Sequence, residues 1–150
     1  MLRISKLTDY GIVLLAHFAR RAPGSTCNAR ELAEATGLPF PVVGKVLKTL
    51  AQAGLLVSHR GAKGGYALAR PPGAISVAEM IEALEGPIAL MACSAGPGHC
   101  EQESTCCVRD PWQTIHGAIR GALSGVTLGG LVQAQNDPVV PLTTQRGQHV

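Results

Sequence analysis

Leu55-Leu56-Val57-Ser58-His59-Arg60, then Gly61-Ala62-Lys63-Gly64-Gly65, then Tyr66-Ala67-Leu68-Ala69-Arg70 is the stretch whose reading decides the fold. Two short runs suited to strands flank a glycine-rich turn, the signature of an antiparallel hairpin. Arg60 and Lys63 sit at its tip, beside glycines that let the backbone approach another surface closely.

Upstream, the apolar spacing predicts three helices. Leu7, Gly11, Leu14, Leu15 and Phe18 recur on one helix face, closed by Arg20-Arg21 before Ala22-Pro23-Gly24. Asn28 with Glu31 three residues on forms a capping box for a short second helix that stops at Gly37. Pro41 is tolerated in the first turn of a third helix, whose inward stripe is Val43, Val46, Leu47 and Leu50 and whose end is Gly54. Its other face carries Pro41, Val42, Lys45, Lys48 and Thr49. Alone, these helices fit either a plain bundle with a solvated basic face or a helix-turn-helix bent at Gly37-Leu38-Pro39. The hairpin favours the second reading: a wing follows the recognition helix, and Arg60 and Lys63 suit a phosphate backbone or a narrow minor groove. Double-stranded DNA is the expected partner.

Charge and composition agree. Residues 1–75 hold 10 Lys/Arg against 3 Asp/Glu and residues 76–150 hold 3 against 7, giving +7 and −4. A basic half followed by an acidic half is the footprint of a polyanion-binding module joined to a module with another task. With 46% hydrophobic but only 3% aromatic residues, the core must be built from aliphatic side chains, as in packed helices. The fold class expected is mainly α with a small β-hairpin (α+β). No leader-like segment opens the sequence and its longest apolar run is too short to span a bilayer, so a cytoplasmic protein without a membrane partner is expected, its cysteines reduced. No phosphate-cradling glycine motif or Ser/His/Asp spacing suggests an enzyme.

Ser76 and Glu79 predict a second capping box, with Val77, Met80, Ile81 and Leu84 striping a fourth helix that stops at Glu85-Gly86-Pro87. Four of the five cysteines then fall in one segment, Cys93-Ser94-Ala95-Gly96-Pro97-Gly98-His99-Cys100-Glu101-Gln102-Glu103-Ser104-Thr105-Cys106-Cys107. Soft thiolates on a bendable loop suit zinc, copper(I) or an iron–sulfur centre. Gaps of six and five residues, rather than Cys-x-x-Cys pairs, favour a larger object held at several points. Unrelated reduced cysteines are the plainer alternative. Asp110 as N-cap and Pro111 open a later helix with Trp112, Ile115, Ile119, Ala122 and Leu123 along one side. Its stripe needs a covering surface after the core is closed, and a second subunit would supply it, with Trp112, Ile115, Ile119 and Leu123 at a two-fold interface. Gly117 and Gly121 lower its helix propensity, a cost that close helix contact could offset. Residues 127–132 suggest one more turn. The expected organisation is a winged helix-turn-helix over 1–87, a cysteine-rich loop over 88–109, a long dimerisation helix over 110–132 and a disordered tail over 133–150. His17, His59 and His116 read as structural or solvent-facing.

Together, Leu7-Thr8-Asp9-Tyr10-Gly11, Glu31-Leu32-Ala33, Arg60-Gly61 with Gly64-Gly65-Tyr66, the cysteine loop and Thr127-Leu128-Gly129 resemble the IscR, NsrR and RirA family of bacterial winged-helix regulators, most nearly its members that control the SUF iron–sulfur assembly genes. The resemblance spans about residues 1–132. It implies a repressor-like homodimer on a palindromic operator, carrying one iron–sulfur cluster per subunit, two-iron (2Fe–2S) in preference to four-iron (4Fe–4S), on Cys93, Cys100 and Cys106. The first cysteine gap is one residue longer than in the best-known members. For the fourth ligand, IscR-like members place a histidine where this chain has Arg109, a permanent cation that cannot bind iron. NsrR-like members use an aspartate of the partner's first helix, matched here by Asp9; Cys107 and His99 compete locally, each adjacent to a primary ligand. Asp9 has a plainer role as well, as a carboxylate in a first helical turn. Two other functions stay open: a structural zinc site with constitutive DNA binding, and a metal-free thiol switch.

Overall fold

Ser5 starts the first helix by accepting from the Thr8 amide, and in a computed structural model that describes residues 3–134 the helix, α1, runs Lys6–Ala19. Asn28 and Glu31 bond reciprocally as a capping box, and α2 (Ala29–Thr36) ends at Gly37 in the left-handed conformation that glycine adopts without penalty. α3 is Phe40–Gln52. The hairpin follows as β1 (Leu56–His59) antiparallel to β2 (Gly65–Leu68), with Leu56 opposite Leu68 and His59 opposite Gly65. Ser76 and Glu79 cap α4 (Val77–Glu85) as the sequence predicts.

The core forms where α1, α3 and α4 meet. Leu14, Leu15, Val43, Leu47, Leu50, Ile75, Met80 and Leu128 are all fully buried there. Burying side chains of this size is worth about 1.5–3 kcal/mol each, so an aliphatic core can hold a fold almost without aromatics. Gly11 lets α1 and α4 close, because a Cβ there would collide with Leu84 Cδ1. Thr8, buried on α1, donates to Glu85 at 2.5 Å, and the Ser5 amide donates to the same carboxylate at 2.8 Å. A carboxylate at a helix C-terminus opposes the macrodipole; these two bonds offset that and hold Glu85 below the usual glutamate range, the Thr8 hydroxyl contributing most.

The last third departs from the expected layout in two places. α5 runs Arg109–Gly125 with Val108, not Asp110, at the N-cap, so Asp110 lies inside the first turn, where its charge still favours the dipole. The region assigned to a dimerisation helix over 110–132 is two helices: the first ends at Gly125, and the further turn suggested over 127–132 is separate. Val126 and Thr127 are extended, the Thr127 hydroxyl caps α6 (Leu128–Gln133), and Leu128 drops into the core against α1. A bridge between Ser76 and Thr127 fixes this return. α6 therefore belongs to the winged-helix body. Apart from its first two residues, the tail expected to be disordered lies outside the described residues. Among the described residues no helix is long and apolar enough to cross a membrane.

Candidate nucleic-acid interface and cysteine loop

Helix α3 turns Val43, Val46, Leu47 and Leu50 into the core, which leaves Pro41, Lys45 and Lys48 exposed and Val42 and Thr49 half-buried at the sides. The Thr49 hydroxyl donates to the Lys45 carbonyl at 3.0 Å. On the hairpin, Arg60 and Lys63 are exposed at the turn. Its shape depends on two glycines. A Cβ at Gly64 would meet the His59 carbonyl oxygen at 2.5 Å, and one at Gly65 would meet the Cys27 carbonyl at 2.7 Å. The second approach is close because Cys27 and Tyr66 exchange two backbone hydrogen bonds of 2.9 Å, adding the residue before α2 to the hairpin edge. Thr26 also reaches the Lys63 carbonyl at 3.4 Å. The turn is thereby tied to the start of α2 rather than left free.

Ion pairing sorts the basic residues into two kinds. Arg70 bonds Glu79 at 2.7 Å, Arg109 bonds Glu103 at 2.8 Å and Arg120 bonds Glu82 at 2.9 Å. Among the described residues, Lys45, Lys48, Arg60 and Lys63 make no salt bridge, nor do Arg3, Lys6, Arg20, Arg21 and Arg30, which lie off α3 and the hairpin. Exposed cations without an ion pair, gathered on one helix face and one turn, have their charge available to a polyanion.

The cysteines divide as well. Cys27 is 1% exposed, and burial, followed by its bond with Glu31, pushes its thiol up to about 11, so it is an inert core residue. Cys93, Cys100 and Cys106 are half-buried, Cys107 is exposed, and all are free thiols. Cys93 lies in a short 3-10 turn (Ala92–Ser94) and the remainder is irregular turn up to α5. Among the described residues, no three His, Cys, Asp or Glu side chains converge closely enough to hold a metal ion. The donor set is nonetheless what a soft centre takes: unpaired, accessible sulfur on a loop bent at Gly96 and Gly98, both at positive φ. Asp9 is exposed on α1, and His99 is exposed with Nδ1 3.3 Å from the Gly96 carbonyl oxygen.

Three residues that carry no sequence signal shape this loop. Glu103 accepts from the Gly98 amide and from Arg109, each at 2.8 Å, so Arg109 helps to pin the loop. Gln113 donates to the Cys93 carbonyl at 2.9 Å, tying the loop's start to α5. Polar side chains at such distances in sequence have no periodicity, which is why pattern reading passes over them. His116, read as structural, faces a cleft of about 370 Å³ with Ser94, Glu82 and Arg120. His17, at the end of α1, has its pKa lowered by burial and then by Arg21 and Arg20, and His59 is exposed on the wing, both as expected.

On α5 no residue is fully buried. Trp112 and Ile115 are exposed, as are Val108 and Val126 at the two ends of the helix, Ile119 and Leu123 are half-buried, and a Cβ at Gly117 or Gly121 would touch nothing within 4 Å.

Comparison with known proteins converges on one group. The Rrf2 family model, described as an iron-dependent transcriptional regulator, matches residues 4–134. An HTH-type transcriptional regulator of Mycobacterium tuberculosis is 31% identical over 128 residues, which are 85% of this chain and 79% of that protein. Of solved structures, CymR, the global cysteine regulator of B. subtilis, is 29% identical with a TM-score of 0.69, covering 89% of this chain and 98% of its own. IscR of T. potens is 26% identical with a TM-score of 0.67, covering 93% of each chain.

Proposed function

From the premise that this chain belongs to the Rrf2 family of transcriptional regulators, we propose that it is a cytoplasmic homodimeric repressor whose hold on a palindromic operator follows the state of an iron–sulfur cluster. The observation that carries the DNA half of this reading is the placing of four exposed cations without an ion pair on the outer face of α3 and the turn of the hairpin. Lys45 and Lys48, with Pro41, Val42 and Thr49 around them, present α3 to the major groove, while Arg60 and Lys63 on the tethered turn meet the backbone or minor groove. Two copies joined through the apolar stripe of α5, with Trp112, Ile115, Ile119 and Leu123 between them, would set the spacing between half-sites.

For the sensing half, Cys93, Cys100 and Cys106 are the residues that would hold the cluster, and Asp9 from the partner's α1 is ranked ahead of Cys107 as fourth ligand. A two-iron cluster is preferred, and when bound it supplies a redox- and iron-responsive link between loop and body. The likeness to IscR of T. potens supports this reading, as do the free, accessible thiols of the loop. Glu103, Arg109 and Gln113 orient the loop that carries them. The genes of iron–sulfur assembly are the proposed targets.

An absorption spectrum of protein purified without oxygen tests the sensing half. Brown or red colour that disappears in Cys93→Ala, Cys100→Ala and Cys106→Ala but persists in Cys27→Ala is the expected result. Colourless wild-type protein, with zinc or with oxidant-dependent disulfides, would replace the cluster by a structural metal or a thiol switch. For the DNA half, alanine at Arg60 and Lys63 should reduce the slope of log affinity against log salt by about 0.9 for each phosphate no longer neutralised.

A further inference from the structure

Two residues at the start of α3 do not fit a solvated helix face. Phe40, the first residue of the helix, is 53% exposed and takes no part in the core. Gly44 lies one turn later on the same side, in the middle of the helix, where glycine is the poorest residue after proline. A Cβ at Gly44 would meet nothing within 4 Å. Gly11, the comparable mid-helix glycine of α1, is explained by the Leu84 side chain against it; Gly44 has no such reason inside the protomer. An exposed aromatic and an unexplained gap therefore stand side by side, next to Lys45 and Lys48.

We propose that Phe40 and Gly44 together read a thymine in the major groove, the Phe40 ring packing on the C5-methyl group and the bare Cα of Gly44 letting the helix backbone approach the base edge. This deepens, and rests on, the reading of α3 as the recognition helix. Thymine is the base that offers an apolar group in the major groove, and a phenyl ring has no donor or acceptor with which to read any other edge. Residues at the N-terminus of a recognition helix are the ones placed over base edges, and side chains there point back toward that end. Lys45 and Lys48 supply the charge that brings the helix down; they carry no preference for a methyl group.

The test uses the full-length protein and an operator recovered from random duplexes by selection with it. Each thymine is replaced in turn by deoxyuridine, which removes only the methyl group, and binding is measured for wild type, Phe40→Ala and Gly44→Ala. At one thymine per half-site, methyl removal should weaken wild-type binding about fourfold, the worth of one buried methylene-sized group, and should weaken Phe40→Ala no further. Gly44→Ala should melt at the same temperature as wild type or higher, because alanine is the better helix former, yet bind the thymine operator less well. Equal losses on methyl removal in wild type and Phe40→Ala at every position, or wild-type binding by Gly44→Ala, would overturn the proposal. Should Lys45→Ala and Lys48→Ala also leave binding unchanged, the reading of α3 as the recognition helix falls with it; if those two weaken binding, only the thymine reading falls.

Discussion

The winged-helix body and the arm that leaves it, the cysteine loop with α5, are built on opposite terms. In the body, Leu14, Leu47, Leu50, Met80 and Leu128 are completely buried, both capping boxes are closed, and even the return of the chain through α6 adds a core residue. In the arm nothing is fully buried on α5, Trp112 and Ile115 face outward, and the loop is held by three polar bonds. On the proposal that α5 pairs with a second copy, the difference teaches that the body carries the core of the fold and the arm carries the assembly. Stability and assembly are therefore written into different residues, and they can be separated by mutation.

The sharpest separation pairs Leu47→Ala with Ile115→Ala. Leu47 is fully buried, and its truncation should cost about 2–5 kcal/mol in chemical denaturation. Ile115 is 43% exposed, and its truncation should change the stability of dilute protein by no more than about 0.5 kcal/mol while weakening association in sedimentation. A large stability loss from Ile115→Ala with association intact would break the comparison. Next comes Gly11→Val. The added side chain runs into Leu84 where α1 and α4 meet, and overpacking of this kind should lower stability by about 1–3 kcal/mol.

Acid should produce the smallest effect, and it too should act on the body. Glu31, Glu79 and Glu85 are held below the ordinary value of 4.5, chiefly by the Asn28 amide, the Ser76 amide and the Thr8 hydroxyl respectively. Carboxylates with depressed values contribute stability that is fully present above 4.5 and is lost as pH falls through the folded values beneath it. The melting temperature should accordingly fall on acidification below about pH 4.5, and less steeply in Glu79→Gln. An unchanged acid slope in that variant would remove the capping carboxylate from the account.

The body is legible in the sequence because its signals are local and periodic. Asn28 with Glu31, Ser76 with Glu79, the stripe from Val43 to Leu50 and the glycine-rich turn each announce themselves within one or two turns of chain. The end of α5 is partly legible, since Leu128 falls off the stripe of Ile119 and Leu123 on a continuous helix and residues 127–132 suggest only a further turn, but the return of that turn to the core is not. What fixes that return is a tertiary bridge to Ser76, far away in sequence. At the loop, the thiols are visible by composition alone, but the clamp of Glu103 on Gly98 and Arg109 is a matter of geometry. Phe40 escapes pattern reading because it lies beside the inward stripe of α3, outside both faces that the spacing assigns.

The Ser76–Thr127 bridge has one more consequence. Val77 donates to Val126 at 2.9 Å and Leu128 to Ile75 at 2.8 Å, so everything between, α4 and the whole arm, is one excursion pinched shut at its neck. The entropy of closing such a circuit grows only with the logarithm of its length, about 0.6 kcal/mol for each doubling. Residues can be added to or removed from the stretch between the cysteines at little thermodynamic cost to the body. The winged-helix body can in this way keep its core while the length of the loop varies.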